Sequence, residues 1–364
     1  MVKEYNLNIK VIGGFDMKKL IAIILPLILI MTGCSEIKGK ENSVAESREV
    51  RKFYNYLERT NTTGFVVMKD NKIVMEKYWD GGEDESGNIA SAGKSVCSVL
   101  TGIAMDKGYF KIDDKVSKYL GNGFSDMPKE MEDQITIENL LSMTSGLNDS
   151  LKMVSEPGKG WEYSDCWNLL FNILEITTKK DINSFAKEVL LDKIGMKDSY
   201  YKSSKTQLYL FRGKNKPTYN NWDPYQIYCS TRDMATFGQL ILQKGSWNGE
   251  QIVSKEYLEK ALKPSSNLNS AYGYLFWLNE MDNGLAPGSN KKLEKNIIPN
   301  APKDLVAALG FGDKKIYIIP SMNMVIARSG KASTDKKYAF TSYDIELWEQ
   351  LNILIQSVSK ILNK

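Results

Sequence analysis

The 364-residue chain contains no histidine. That absence excludes Ser-His-Asp and Cys-His catalysis and every histidine-ligated metal site, so a general base must be Lys, Tyr, Asp or Glu. Cysteine is scarce, at four residues, and none lies in a C-x-x-C pair of the kind that builds structural zinc sites. A strong charge excess is missing too. The 48 basic and 44 acidic residues leave a formal +4, which argues against nucleic acid as a partner. No repeat period or sustained heptad is visible, and Pro and Gly are ordinary. Neither a metal nor a cofactor is expected.

A long apolar run is also lacking. Met17-Lys18-Lys19 is followed by the twelve apolar residues Leu20 to Met31, too few for a bilayer, which takes about 20. The order of charge and then apolar stretch is that of a secretory signal peptide, here residues 1–33. It closes on Thr32-Gly33-Cys34, which resembles a lipobox and implies lipidation of Cys34. Residues 1–16 fit neither signal nor domain, and Met17 is read as the true start. Residues 34–51, beginning with Cys34 and rich in Lys, Glu, Ser and Asn, read as a tether. The expected location is the outer face of a bacterial membrane, held through lipid. Removing residues 1–33 takes away four Lys and two acidic residues and leaves +2. Cys97, Cys166 and Cys229 then remain, an odd number that requires at least one free thiol; small buried residues are the default reading.

Residues 52–364 are read as one two-lobed domain. Two β-rich runs, Gly64–Lys69 and Lys72–Trp79, flank Asp70-Asn71 and predict a hairpin. From Ser91 the apolar positions Val96, Leu100, Ile103 and Ala104 recur at helical spacing as far as Gly108. Further helices are expected at Asp113–Leu120, Thr136–Met143, Trp167–Thr177, Ile182–Leu191 and Asp233–Lys244. Strands return at Asp304–Leu309, Lys314–Ile319 and Met324–Arg328, and an amphipathic helix over Ser342–Leu362 closes the chain. Each strand group alone is too small to be stable. The economical α+β solution is one antiparallel sheet built from both chain ends, with helices on its faces and a helical lobe inserted at about 110–300.

Ser91-Ala-Gly-Lys94 places a hydroxyl and an amine one helical turn apart, on the same face. Helix N-terminus and burial both favour a neutral amine that can accept the serine proton. The pattern alone carries little, because Ser35–Lys38, Ser184–Lys187, Ser333–Lys336 and Ser357–Lys360 share it. Only Ser91 follows a hairpin and opens a long apolar helix. A second signal is Trp161-Glu-Tyr163-Ser164-Asp165, where Tyr163 stands at a loop–helix junction able to shuttle a proton, or simply packs beside Trp161 with Ser164 or Asp165 as a cap. A third is Ala308-Leu309-Gly310-Phe311-Gly312 at a strand end. Its backbone N–H groups can join that of Ser91 in an oxyanion hole, or the segment can be a plain turn.

Together with Ile135–Leu147, Lys193–Asp198, Ser230–Leu240, Trp247–Val253 and Tyr272–Trp277, these segments resemble the class C β-lactamase, penicillin-binding and esterase superfamily of serine hydrolases. The branch with 6-aminohexanoate-dimer hydrolase is the most similar. The resemblance spans about Gly64 to Gly330. It implies a three-layer α/β/α transpeptidase-like fold, an acylated Ser91, Lys94 as its base, Tyr163 as proton relay, and the N–H groups of Ser91 and Phe311 around the oxyanion. Trp161, Asp165 and Gly310 are the expected substrate-side neighbours. The family's third motif usually begins with Lys or His, whereas the matching residue here is Ala308, and its Tyr-x-Asn reads Tyr163-Ser164-Asp165. The expected function is a surface-anchored hydrolase of small esters, amides or short peptides. The alternatives are a penicillin-binding, β-lactam-hydrolysing or peptidoglycan-trimming protein, and a silent lipid-tethered binding or sensor domain.

Overall fold

The computed structural model describes residues 48–203, 224–287, 292–293, 296–332 and 340–362. Cys34 and the signal and tether readings lie outside them up to residue 47. The chain divides into two units, 57–348 and the terminal segments up to Tyr56 and from Glu349. In the terminal unit Val50, Phe53 and Tyr56 are buried on helix α1 (Arg48–Arg59). The tether reading therefore ran four residues too far. Arg48 to Arg51 are already helical, because Val50 opens an apolar stripe spaced by three.

In unit 57–348 the hairpin forms as β1 (Thr62–Lys69) and β2 (Lys72–Tyr78). Asp70 and Asn71 both take positive φ, 49° and 63°, the backbone that a two-residue hairpin turn demands. The short strand β3 (Gly87–Asn88) leads to a 3₁₀ turn at Ala90–Ala92 and then to α2 (Gly93–Asp106). The helix expected over Asp113–Leu120 is reduced to Ser117–Leu120. That over Thr136–Met143 is α3 (Ile137–Leu141), with Thr136 and Asn139 forming a capping box. Next comes α4 (Leu169–Thr178).

Among the strands that the sequence does not announce in the helical lobe are β4 (Tyr200–Ser203) and β5 (Tyr225–Cys229), which pair with each other and, through β5, with β3. Then follow α5 (Thr231–Leu242), β6 (Trp277–Leu278), β7 (Val306–Gly310), β8 (Lys314–Ile319), β9 (Met324–Gly330) and α6 (Ser342–Leu362). The main sheet has the order β2-β1-β9-β8-β7-β6, antiparallel throughout. Both chain ends build it, as expected.

Strand parity explains the layers. Ile316 and Val325 point towards α5, where Gly238 lies so close that an added Cβ would sit 2.5 Å from Val325 and 3.0 Å from Ile316. Thr231 at the start of α5 bonds Ser329 of β9 at 2.6 Å. The alternate residues Lys315, Tyr317 and Arg328 face the other way. There Tyr317 meets Trp348 of α6 edge-on at 5.9 Å and donates to Asp344 at 2.6 Å. Lys315 bonds Asp344 at 2.8 Å and lies 3.4 Å from Asp313. The Arg328 guanidinium donates to the backbone oxygens of Asp313 and Thr60, both at 2.7 Å. Helices thus cover both sheet faces, the expected three-layer α/β/α arrangement.

Candidate active site

Ser91 sits in the 3₁₀ turn that feeds α2 rather than in the helix proper. The residue before it, Ala90, has φ 51°, an unfavourable conformation for a non-glycine residue. Asn88 holds this turn by accepting the Ala90 N–H at 2.8 Å. The helix then brings the Lys94 Nζ to 2.9 Å from the Ser91 Oγ, with Lys94 buried and Ser91 half-buried. The Ser95 hydroxyl donates to the Leu275 carbonyl at 2.7 Å. This fixes the helix against the loop that leads into β6.

Tyr163 and Asp165 reach the same place from another segment. Loop residues 143–162 are laced by backbone bonds: Glu162 N–H to the Met143 oxygen at 2.9 Å, Gly158 to Thr144 at 2.7 Å and Val154 to Gly146 at 2.8 Å. Gly146 has φ 77°, and a Cβ there would stand 2.2 Å from the Ser155 oxygen, so only glycine fits. Ser164 occupies the cap position of the 3₁₀ turn Asp165–Asn168, yet its hydroxyl donates to the Leu147 oxygen at 2.8 Å instead of capping. Buried Cys166 lies 3.1 Å from the Ser145 hydroxyl and 3.0 Å from that of Ser164. Cys97, Cys166 and Cys229 are all free and buried, and burial raises the thiol pKa of each.

The Lys94 ammonium is 4.8 Å above the Tyr163 ring centre, 5.0 Å above that of Trp167 and 3.5 Å from the Asp165 Oδ1. Burial pulls the Lys94 pKa down, but Tyr163 and Asp165 outweigh it and hold the amine above the ordinary lysine range. Asp165 is itself fixed, its N–H donating to the Asp149 Oδ1 at 2.8 Å. Trp161 packs against Tyr163 at 6.2 Å and Tyr272 at 5.6 Å. Its buried indole N–H meets no acceptor among the described residues. Tyr272 and Trp277 complete this aromatic wall, 4.8 Å apart, with Phe340 4.6 Å from Trp277.

Gly310 ends β7 directly against the Ser91 turn. A Cβ on it would lie 2.2 Å from the Ile89 oxygen and 3.2 Å from the Ala92 nitrogen. Phe311 follows, its side chain 56% exposed. Ala308, on the same sheet face as Gly310, brings no charge. Six of the seven residues named from the sequence in this region, Ser91, Lys94, Tyr163, Asp165, Trp161 and Gly310, are joined by direct contacts or by the Ser91 turn, and Phe311 adjoins Gly310. Asp149, Tyr272 and Trp277 were not singled out as site residues, although Tyr272–Trp277 was noted as a segment.

A model of the Beta-lactamase family matches residues 51–338. An uncharacterised protein of Alkalihalophilus pseudofirmus is 26% identical over 290 residues, 72% of this chain and 82% of its own. PbpX of Bacillus subtilis, named as a penicillin-binding protein, is 24% identical over 297 residues, 70% of this chain and 72% of its own. The solved structure of a Bacillus anthracis protein named as a 6-aminohexanoate-dimer hydrolase is 18% identical, with a TM-score of 0.62 over 84% of this chain and 82% of that one. With the family match spanning most of the chain and its fold in place, the chain belongs to the β-lactamase family of serine hydrolases.

Proposed function

We propose that this chain is a surface-anchored hydrolase of ester or amide bonds that works through an acyl-enzyme on Ser91. The observation that carries the reading is the buried Lys94 amine at 2.9 Å from the Ser91 hydroxyl. In the deprotonated form Lys94 takes the Ser91 proton as Oγ bonds to the substrate carbonyl carbon. The N–H groups of Ser91 and Phe311 hold the oxyanion. As the tetrahedral species collapses, the bond to the leaving group breaks, and that group leaves with a proton passed from Lys94 through Tyr163. Water then attacks the acyl carbon by the same steps in reverse, releasing the acid and restoring the Ser91 hydroxyl.

Intact mass of residues 36–364 incubated with an activated ester tests this, with Ser91→Ala alongside. A single adduct that forms on the wild type only and then decays is the expected result. A lasting adduct, or none, favours the second reading, a binding or sensor domain. That reading is supported by the Asp165–Lys94 ion pair and by the uncharged Ala308. A β-lactam in place of the ester separates the penicillin-binding reading, against which Ala308 also argues.

The anchor is Cys34 carrying lipid. Cys34→Ala is expected to move the protein from the membrane fraction to the soluble one; unchanged fractionation removes the anchor from the proposal.

A further inference from the structure

The turn between β7 and β8 carries two adjacent lysines with opposite surroundings. Lys315 faces α6 and is tied to Asp344 and Asp313. Lys314 lies on the other sheet face as the cross-strand partner of Gly310. A Cβ on Gly310 would be 3.2 Å from the Lys314 Cβ and 2.2 Å from the Ile89 oxygen, so the lysine stem starts beside the Ser91 turn. Its ammonium folds over Gly312, 2.7 Å from where a Cβ would stand.

This side chain is half-buried. Among the described residues it makes no hydrogen bond or ion pair, whereas the Lys94 amine in the same site is held by Ser91 and Asp165. Burial and the nearby Arg328 push its pKa down, and Asp313 offsets them only in part. A cation drawn from water without a partner is costly, and an anion placed beside it removes that cost. On the Tyr163 wall, Asp149 and Asp165 would repel such an anion, and the raised pKa of half-buried Glu162, caused by burial and by Asp149, records the same negative field. The β7–β8 end is where a negative group fits.

We propose that Lys314 is a specificity-determining residue that receives a carboxylate of the substrate, so that the preferred substrates are monoesters or monoamides of dicarboxylic acids. This rests on Ser91 being the nucleophile.

The test compares 4-nitrophenyl hydrogen adipate with 4-nitrophenyl hexanoate, which has the same acyl length and no charge, on the wild type, Lys314→Met and Lys314→Arg. The wild type is expected to prefer the adipate. Lys314→Met is expected to lose about tenfold in kcat/KM on the adipate alone, the size of one charge-assisted bond, mainly through KM. Lys314→Arg is expected to keep the preference, and added salt to weaken it. Equal turnover of the two esters by the wild type, or equal effects of Lys314→Met on both, overturns this assignment and leaves the hydrolase reading standing. No turnover of either ester by the wild type overturns the hydrolase reading, and this one with it.

Discussion

At the scale of single residues, the amine at Lys94 answers to opposing influences. Burial favours its neutral form, whereas Tyr163 and Asp165, with Asp149 farther out, favour the ammonium and prevail. In the proposed mechanism the serine proton is accepted only by the neutral amine, so turnover should climb as pH rises towards the Lys94 pKa. Replacing the Asp165 carboxylate by an amide removes one raising influence, lowers that pKa and moves the climb to lower pH. Asp165→Asn should therefore be faster than wild type at neutral pH and converge with it in alkali. A pH profile of kcat/KM checks this, and an unmoved profile would show that Asp165 does not govern the base. That Ser91 and Lys94 come together was legible because motif, spacing and element order agreed, while the place of Tyr163 beside them was expected from the family resemblance. Lys314 was not legible, because the expected strand Lys314–Ile319 does not by itself say which of two consecutive lysines faces the Ser91 turn; the pairing of Lys314 with Gly310 does. Asp149 was hidden for another reason: its place depends on how loop 143–162 folds back.

At the scale of elements, the interest lies in how β8 and β9 hold α6. Asp344 accepts from both Lys315 and Tyr317, and Arg328 is fully buried between Thr60, Thr62 and Asp313. Breaking such a buried ionic network by removing one partner strands the other charge, at a cost of about 3–5 kcal/mol. Lys315→Met should lower thermal stability by that order, and the double change Lys315→Met with Asp344→Leu should recover part of it, because the stranded carboxylate is gone. Chemical denaturation of the three proteins decides; equal stabilities would mean that the network contributes nothing. The same network holds the carbonyl of Asp313, two residues past Phe311, and so stiffens the turn proposed to supply an oxyanion donor. Elements with strong local signals were read correctly: the Asp70-Asn71 hairpin, the apolar spacing of α2 and the closing helix α6. Those that exist only because a partner strand is present were missed. β6 is two residues long, and β5 carries no clear alternation, with Ile227 and Cys229 its buried positions. The helix expected at Asp113 shrinks because Asp114 turns its carboxylate onto the Lys111 N–H and the Tyr119 hydroxyl, a local turn that competes with helix.

At the scale of the whole molecule, β1 finds its neighbour β9 some 266 positions away along the chain, as the Arg328–Thr62 bond marks. Everything between them hangs from a sheet that the middle of the sequence cannot build. A chain ended after Leu293 keeps Ser91, Lys94 and Tyr163 but lacks β7, β8 and β9. It is expected to show no cooperative thermal transition and no acylation, and a sharp melt by circular dichroism would contradict this. The consequence reaches back to synthesis. While the ribosome is still working through the helical lobe, β1 has only β2 beside it, and its other edge waits for a partner not yet made. Closing so long a loop is slow, so the nascent chain passes most of its elongation time without its sheet. A polypeptide in that state stays open to proteases and chaperones until its last strands emerge, and the step that completes the surroundings of Ser91 also ends that exposure.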